Sequence, residues 1–267
     1  MNESLWLNST NPDDLLEFLL DVTSDRKLRL FACACCRELI HLVTEEHCLA
    51  ALEAAEASAD ENIDANELHE AWFAAHQHKP IFRDANWAAC WVAAPAVVQA
   101  VARTSLYVAN YLAEIAAEEA RNQARAAVCS GAPEDRTSQA WNDYHSFVEQ
   151  ATNQVREQQT HLLRDIVGNP YRPLQPDPAW RTQTVQSIAR KIYSENRFEQ
   201  VLILADALEE AGCQDETVLD HFRNGHKHVR GCHVVDAILG DWKEAGEMRE
   251  ASESKQNVKG ERWKVES

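Results

Sequence analysis

Ser24-Asp25-Arg26-Lys27-Leu28-Arg29-Leu30-Phe31-Ala32-Cys33-Ala34-Cys35-Cys36-Arg37 carries no polar side chain between Leu30 and Cys36. Its Leu28, Phe31 and Cys35 continue through Leu39 and Leu42 at spacings of three and four, the period of a helix and not of a strand. Ser24 suits the N-cap, and Ala32, Cys33, Ala34 and Cys36 fill the other sides with small groups. The run predicts a helix at the centre of a helical protein.

The neighbouring segments carry helix punctuation of the same kind. Asn11 can cap a helix opened by Pro12, with Asp13 and Asp14 in its first turn and Leu15, Leu16, Phe18, Leu19 and Leu20 forming its apolar face. Thr44, Glu45 and Glu46 open an Ala-rich helix, and Asp64 with Glu67 three residues on reads as a capping box for another. From Pro95 to Val128 the pattern is one continuous helix of about 50 Å at about 1.5 Å per residue. Ser130-Gly131-Ala132-Pro133 ends it, and a second long pattern follows through Trp141, Tyr144, Val148, Val155, Leu162 and Ile166. The pair predicts an antiparallel hairpin.

Gly168 and Pro170 stop the second rod, and the four prolines of Gly168–Pro178 mark the clearest boundary in the chain. Shorter helices are expected beyond it: from Asp177-Pro178 to Tyr193, from Phe198 to Ala211, from Thr217 to Phe222 and from His233 to Leu239. No segment shows sustained β-branched alternation. The expected fold is all-α: a helical bundle over 1–167 built on the long hairpin, a Pro-rich linker over 168–178, a small helical module over 179–240, and a charged, flexible tail over 241–267.

The 267 residues carry 26 Lys+Arg against 43 Asp+Glu, a net charge of −17, which argues against binding nucleic acid by broad phosphate neutralisation and against anionic membranes. The first ten residues lack a basic n-region, no 18-residue apolar run occurs, and a cytoplasmic location is expected. The eight cysteines fit that address, since Cys33, Cys35, Cys36 and Cys48 crowd together in a helical context where free thiols are expected. P-loop, G-x-G-x-x-G and G-x-S-x-G motifs are absent.

Several constellations approach a chemical signature. His69-Glu70-Ala71-Trp72-Phe73 resembles a zincin helix until Phe73, which stands where the second His belongs; His76 and His78 follow nearby. Glu38-Leu39-Ile40-His41 has a di-iron spacing but stands alone, and a chain with 27 Glu and 11 His among 267 residues meets about one such spacing by chance. Cys33 and Cys36 form a C-x-x-C without the βαβ setting of a redox pair. The densest run is His221-Phe222-Arg223-Asn224-Gly225-His226-Lys227-His228-Val229-Arg230-Gly231-Cys232-His233, which has no acid in an acidic protein. It reads as a metal site drawing on His221, His226, His228 and Cys232, as an anion or acidic-peptide pocket using His226, His228 and Arg230, or as a structural loop.

Taken together, Ser24–Arg37, Leu162-Leu163-Arg164-Asp165-Ile166-Val167-Gly168-Asn169-Pro170-Tyr171-Arg172-Pro173, Leu202–Cys213 and His228-Val229-Arg230-Gly231-Cys232 resemble an uncharacterised all-helical family expanded in planctomycete-type bacteria. The resemblance runs to about Gly240 and implies kinship and a helical fold, with no activity, catalytic residue or cofactor attached. His233 departs from the aromatic residue that this family often has after the Gly-Cys pair.

The expected function is a non-enzymatic protein-interaction, scaffold or adaptor role, with another protein as partner and no cofactor. The competing expectation is a zinc-binding protein or metal-dependent hydrolase using the loop 221–233. An acid-rich segment up to Ser130 suggests, third, a mimic of nucleic-acid charge. The first expectation requires that no set of imidazoles, thiols and carboxylates converges once the helices pack.

Overall fold

The structure, a computed structural model, describes residues 1–77 and 85–240. His78 and the tail 241–267 lie outside the described residues. The fold is all-α, with no strand among the described residues. The helices are α1 (Glu3–Asn8), α2 (Pro12–Val22), α3 (Asp25–Arg37), α4 (Glu46–Ala59), α5 (Ala65–Gln77), α6 (Ala85–Val92), α7 (Val97–Ala116), α8 (Glu118–Cys129), α9 (Glu134–Val167), α10 (Gln183–Ser194), α11 (Val201–Glu210), α12 (Glu216–Arg223) and α13 (His233–Leu239). Asn11 caps α2 through the Asp13 N–H, and Ser24 caps α3 through the Lys27 N–H. Asp64 and Glu67 form the expected reciprocal capping box at the start of α5.

Helix α3 is the central element. It packs against α4, α6, α7 and α9, and every residue from Lys27 to Cys36 is buried. Arg29 is one of the few charges inside, and its guanidinium donates to the carbonyls of Val92 at 3.2 Å, Ala94 at 3.1 Å and Pro95 at 3.4 Å. These carbonyls are left over where α6 ends, so the arginine acts as a C-terminal cap delivered by another helix.

The predicted rod from Pro95 to Val128 is two helices. The chain leaves helical geometry at Ala117 (φ −92°, ψ 5°), a buried residue, and α8 restarts with Glu118 and Glu119 in its first turn. No Pro or Gly stands there to announce the break. Both pieces still lie along α9, which at about 1.5 Å per residue is about 51 Å long, so the hairpin persists with a bend in one arm. Helices α1 and α6 add to the predicted set. Helix α1 supplies the fully buried Trp6, whose carbonyl accepts from Arg164 on α9.

Two hydrophobic clusters result, one running from Trp6 to Ile166 and one from Val185 to Leu239. Between them lies a polar seam. Lys27 Nζ donates to Asp236 Oδ2 at 2.6 Å and to the Gly231 carbonyl at 2.8 Å, Arg26 pairs with the same carboxylate at 2.6 Å, and Tyr193 Oη donates to Asp60 at 2.5 Å. The other half of the seam holds the candidate site.

Candidate metal centre

Asp165 lies on the last turns of α9, one helical step from Leu162 and next to Ile166, so a carboxylate sits on the buried face of the rod. Against it the C-terminal module brings His221 from α12, His228 from the connecting segment and Cys232 from the residue before α13. One ligand atom from each of the four lies within 4.8 Å of the others. His228 Nδ1 is 2.7 Å from Asp165 Oδ1, and His221 Nε2 is 3.2 Å from both Asp165 Oδ1 and Cys232 Sγ. The Val229 N–H donates to Asp165 Oδ2 at 3.0 Å, which fixes the carboxylate plane and leaves Oδ1 facing the imidazoles.

Local sequence explains the convergence. Asn224 to Lys227 are exposed, and the chain turns inward at His228, which is buried. Gly231 adopts a left-handed φ of +91°, and its α-carbon lies so near Leu30 of α3 that an added Cβ would stand 2.7 Å from Leu30 Cδ1. That close approach carries Cys232 into the seam. Gly168, the residue that ends α9, similarly leaves room for the His233 ring, whose Nδ1 is 2.9 Å from the Asp165 carbonyl.

Electrostatics separate two chemical readings of the set. Burial alone would raise the Asp165 pKa, but hydrogen bonds and charge from His221 and His228 outweigh it and hold the carboxyl well below the usual range. Burial pushes the Cys232 thiol well above its ordinary value, and the Asp165 charge adds to that. A thiol so held is no nucleophile at neutral pH. A catalytic relay also needs the two nitrogens of one imidazole to face two partners, nucleophile on one side and carboxylate on the other. Here the single Nε2 of His221 faces both, which is convergence on a point.

Convergence suits a cation. Zinc ligands stand roughly 2.0–2.3 Å from the ion, and in a tetrahedron roughly 3.3–3.6 Å from each other, a spacing bracketed by the 2.7 Å and 3.2 Å contacts of this set and its 4.8 Å outer limit. The donor set also matches in charge: one carboxylate and one thiolate beside two neutral imidazoles neutralise a divalent ion, which is what a buried site requires. His228 faces the cluster with Nδ1, while its Nε2, on the other side of the ring, is buried with no hydrogen-bond partner. The residues present fit a divalent metal of zinc type.

Family models, curated proteins and solved structures give no match to this chain. The site therefore rests on its own geometry.

Of the residues singled out from sequence, His221, His228 and Cys232 meet in this cluster, and His226 does not. It is exposed and stacks on His161 at 5.4 Å. Arg230 is turned to the other half of the seam, over the Tyr193 ring at 4.7 Å with Nε 3.6 Å from Asp60. The cations of the loop already face carboxylates: Arg230 faces Asp60 and Glu56, Arg223 faces Glu209, and Lys227 faces Glu38. Asp165 was absent from the sequence candidates, although an acid between Leu162 and Ile166 on an apolar stripe was the signal available.

The remaining constellations are structural. His76 packs among Trp72, Trp87 and Trp91, with Nδ1 2.9 Å from Cys90 Sγ, and His69 lies exposed on the same helix. Glu38 pairs with Lys227 while His41 is exposed, so the Glu-x-x-His spacing assembles no site. Cys33 and Cys36 are buried in α3, and burial pushes the Cys36 thiol up to about 12.

Proposed function

We propose that the protein is a non-catalytic zinc-binding protein, in which Asp165, His221, His228 and Cys232 hold one divalent ion and the helical body serves as a scaffold or adaptor for another protein. The supporting observation is the meeting of four ligand atoms of mixed O, N and S type within 4.8 Å, in a seam between two helical clusters. Four protein ligands complete a tetrahedron and leave no position for water or substrate, the arrangement of structural zinc and not of hydrolytic zinc. A cytoplasmic setting, in which thiols stay reduced, suits a Cys ligand. Kinship with the planctomycete-type helical family belongs to the same reading and adds no chemistry to it.

Elemental analysis of purified protein tests the proposal. One zinc per chain is expected, retained by His226→Ala and lost, with affinity reduced more than about 100-fold, in His228→Ala and Cys232→Ser. Cobalt in place of zinc should give the visible absorption of a tetrahedral site with a thiolate ligand. A folded, metal-free protein that takes up no added zinc would overturn the proposal.

A further inference from the structure

We infer that the ion works as a releasable staple: bound, it locks the segment from Asn224 to Val229 onto α9, and on release this segment opens while both hydrophobic clusters stay folded. The inference rests on the zinc reading and concerns what the ion controls.

The ligands divide unequally across the seam. Asp165 belongs to the bundle, and the other three belong to one stretch of the C-terminal module. Each side has its own apolar cluster, from Trp6 to Ile166 and from Val185 to Leu239. Of the segment between α12 and α13, Val229 alone packs on the bundle's cluster, while Asn224, Gly225, His226 and Lys227 are exposed. Few apolar contacts and no regular backbone ladder make this the part of the seam whose opening costs least. An ion that binds only the closed arrangement stabilises it by about RT ln(1 + [L]/Kd), about 2.7 kcal/mol at a hundredfold excess over Kd.

The second half of the seam explains why opening is local. Asp236 is held by Lys27 and Arg26 and the Tyr193 hydroxyl by Asp60, none of which involves a proposed ligand, so α10 and α13 stay anchored to α3 and α4 when the ion leaves. Lys27 also holds the Gly231 carbonyl at 2.8 Å and so limits the opening at its C-terminal end.

The exposed basic residues of the segment provide the assay. Trypsin cleaves after Arg223 and Lys227, and in the full-length chain stripped by a chelator both bonds should be cut readily. Added zinc should slow those cuts at least tenfold, and hydrogen exchange should show protection gained across 224–229 with α3 and α7 unchanged. In Asp165→Asn, checked for helix content by circular dichroism, zinc should have no such effect. Zinc bound at one per chain with cleavage and exchange unaltered would overturn the staple and leave the zinc reading intact. Absence of zinc binding would overturn both. Zinc-dependent protection spread evenly over both clusters would also overturn it, since the ion would then control global folding.

Discussion

Gly231 and Gly212 share a backbone φ of +91°, yet only one of them touches another element. A Cβ on Gly231 would stand 2.7 Å from Leu30 Cδ1, whereas nothing lies within 4 Å of the same position on Gly212. Gly212→Ala therefore isolates the cost of a left-handed alanine, about 1–2 kcal/mol. Gly231→Ala should add overpacking against α3, about 1–3 kcal/mol more, because Leu30 is itself buried and has little room to yield. Urea unfolding of the two variants side by side measures the difference, and equal midpoints would show that the approach of Gly231 to Leu30 does not matter. At this scale the candidate site was half legible. His221, His228 and Cys232 are rare, chemistry-bearing types crowded into one run, which sequence displays directly. Asp165 is one acid among 43 Asp+Glu, and only its place on an apolar stripe separates it from solvated neighbours. Arg230, a cation without nearby acids in sequence, meets Asp60 in space, a pairing that sequence does not display.

Between elements, the contact of α13 with α3 depends on one carboxylate. Burial alone would raise the pKa of Asp236, but the Lys27 and Arg26 charges and their hydrogen bonds outweigh it and hold the group below its ordinary value. As pH falls, the unfolded chain therefore takes up the proton before the folded one. The stabilisation is fully present above the unfolded value, about 3.9, and is lost as pH drops through the lower folded value. Asp236→Asn leaves Lys27 and Arg26 facing an uncharged amide, at a cost of about 3–5 kcal/mol at pH 7 for a broken buried pair. Stability measured in urea at pH 7, 5 and 3 should show the gap between wild type and Asp236→Asn constant from pH 7 to 5 and shrinking at 3. A gap that does not depend on pH would mean that the carboxylate's charge contributes nothing. Helix existence was legible because caps and apolar spacing are local: Asn11, Ser24 and Asp64 each start a helix as read. The break at Ala117 was not, since Ala, Glu and Arg on both sides favour helix and neither Pro nor Gly marks the position.

At the scale of the molecule, a seam of charges and imidazoles joins two apolar clusters, and the cysteines are distributed so that each cluster can be watched separately. Cys33, Cys35, Cys36, Cys48 and Cys90 are buried in the first cluster, Cys213 and Cys232 in the second, and Cys129 alone is exposed. Sequence patterning placed the division at Gly168–Pro178, where prolines interrupt the helical period, but it gave no account of how the halves hold together, because every partner across the seam is remote in sequence. A thiol reagent offers that account experimentally. In native protein only Cys129 should react quickly, since burial pushes the Cys36 and Cys90 thiols up to about 12, and Cys129→Ser should abolish the fast phase. In rising urea the smaller cluster, with less apolar surface to bury, should open first, so Cys213 and Cys232 become labelled at lower denaturant than the five thiols around α3. Zinc, by tying Cys232 to Asp165, should raise the midpoint for the module's two thiols and leave the other five where they were. One common midpoint for all seven would instead mean that the ion pairs of Asp236 and Asp60 bind the two clusters into a single cooperative unit.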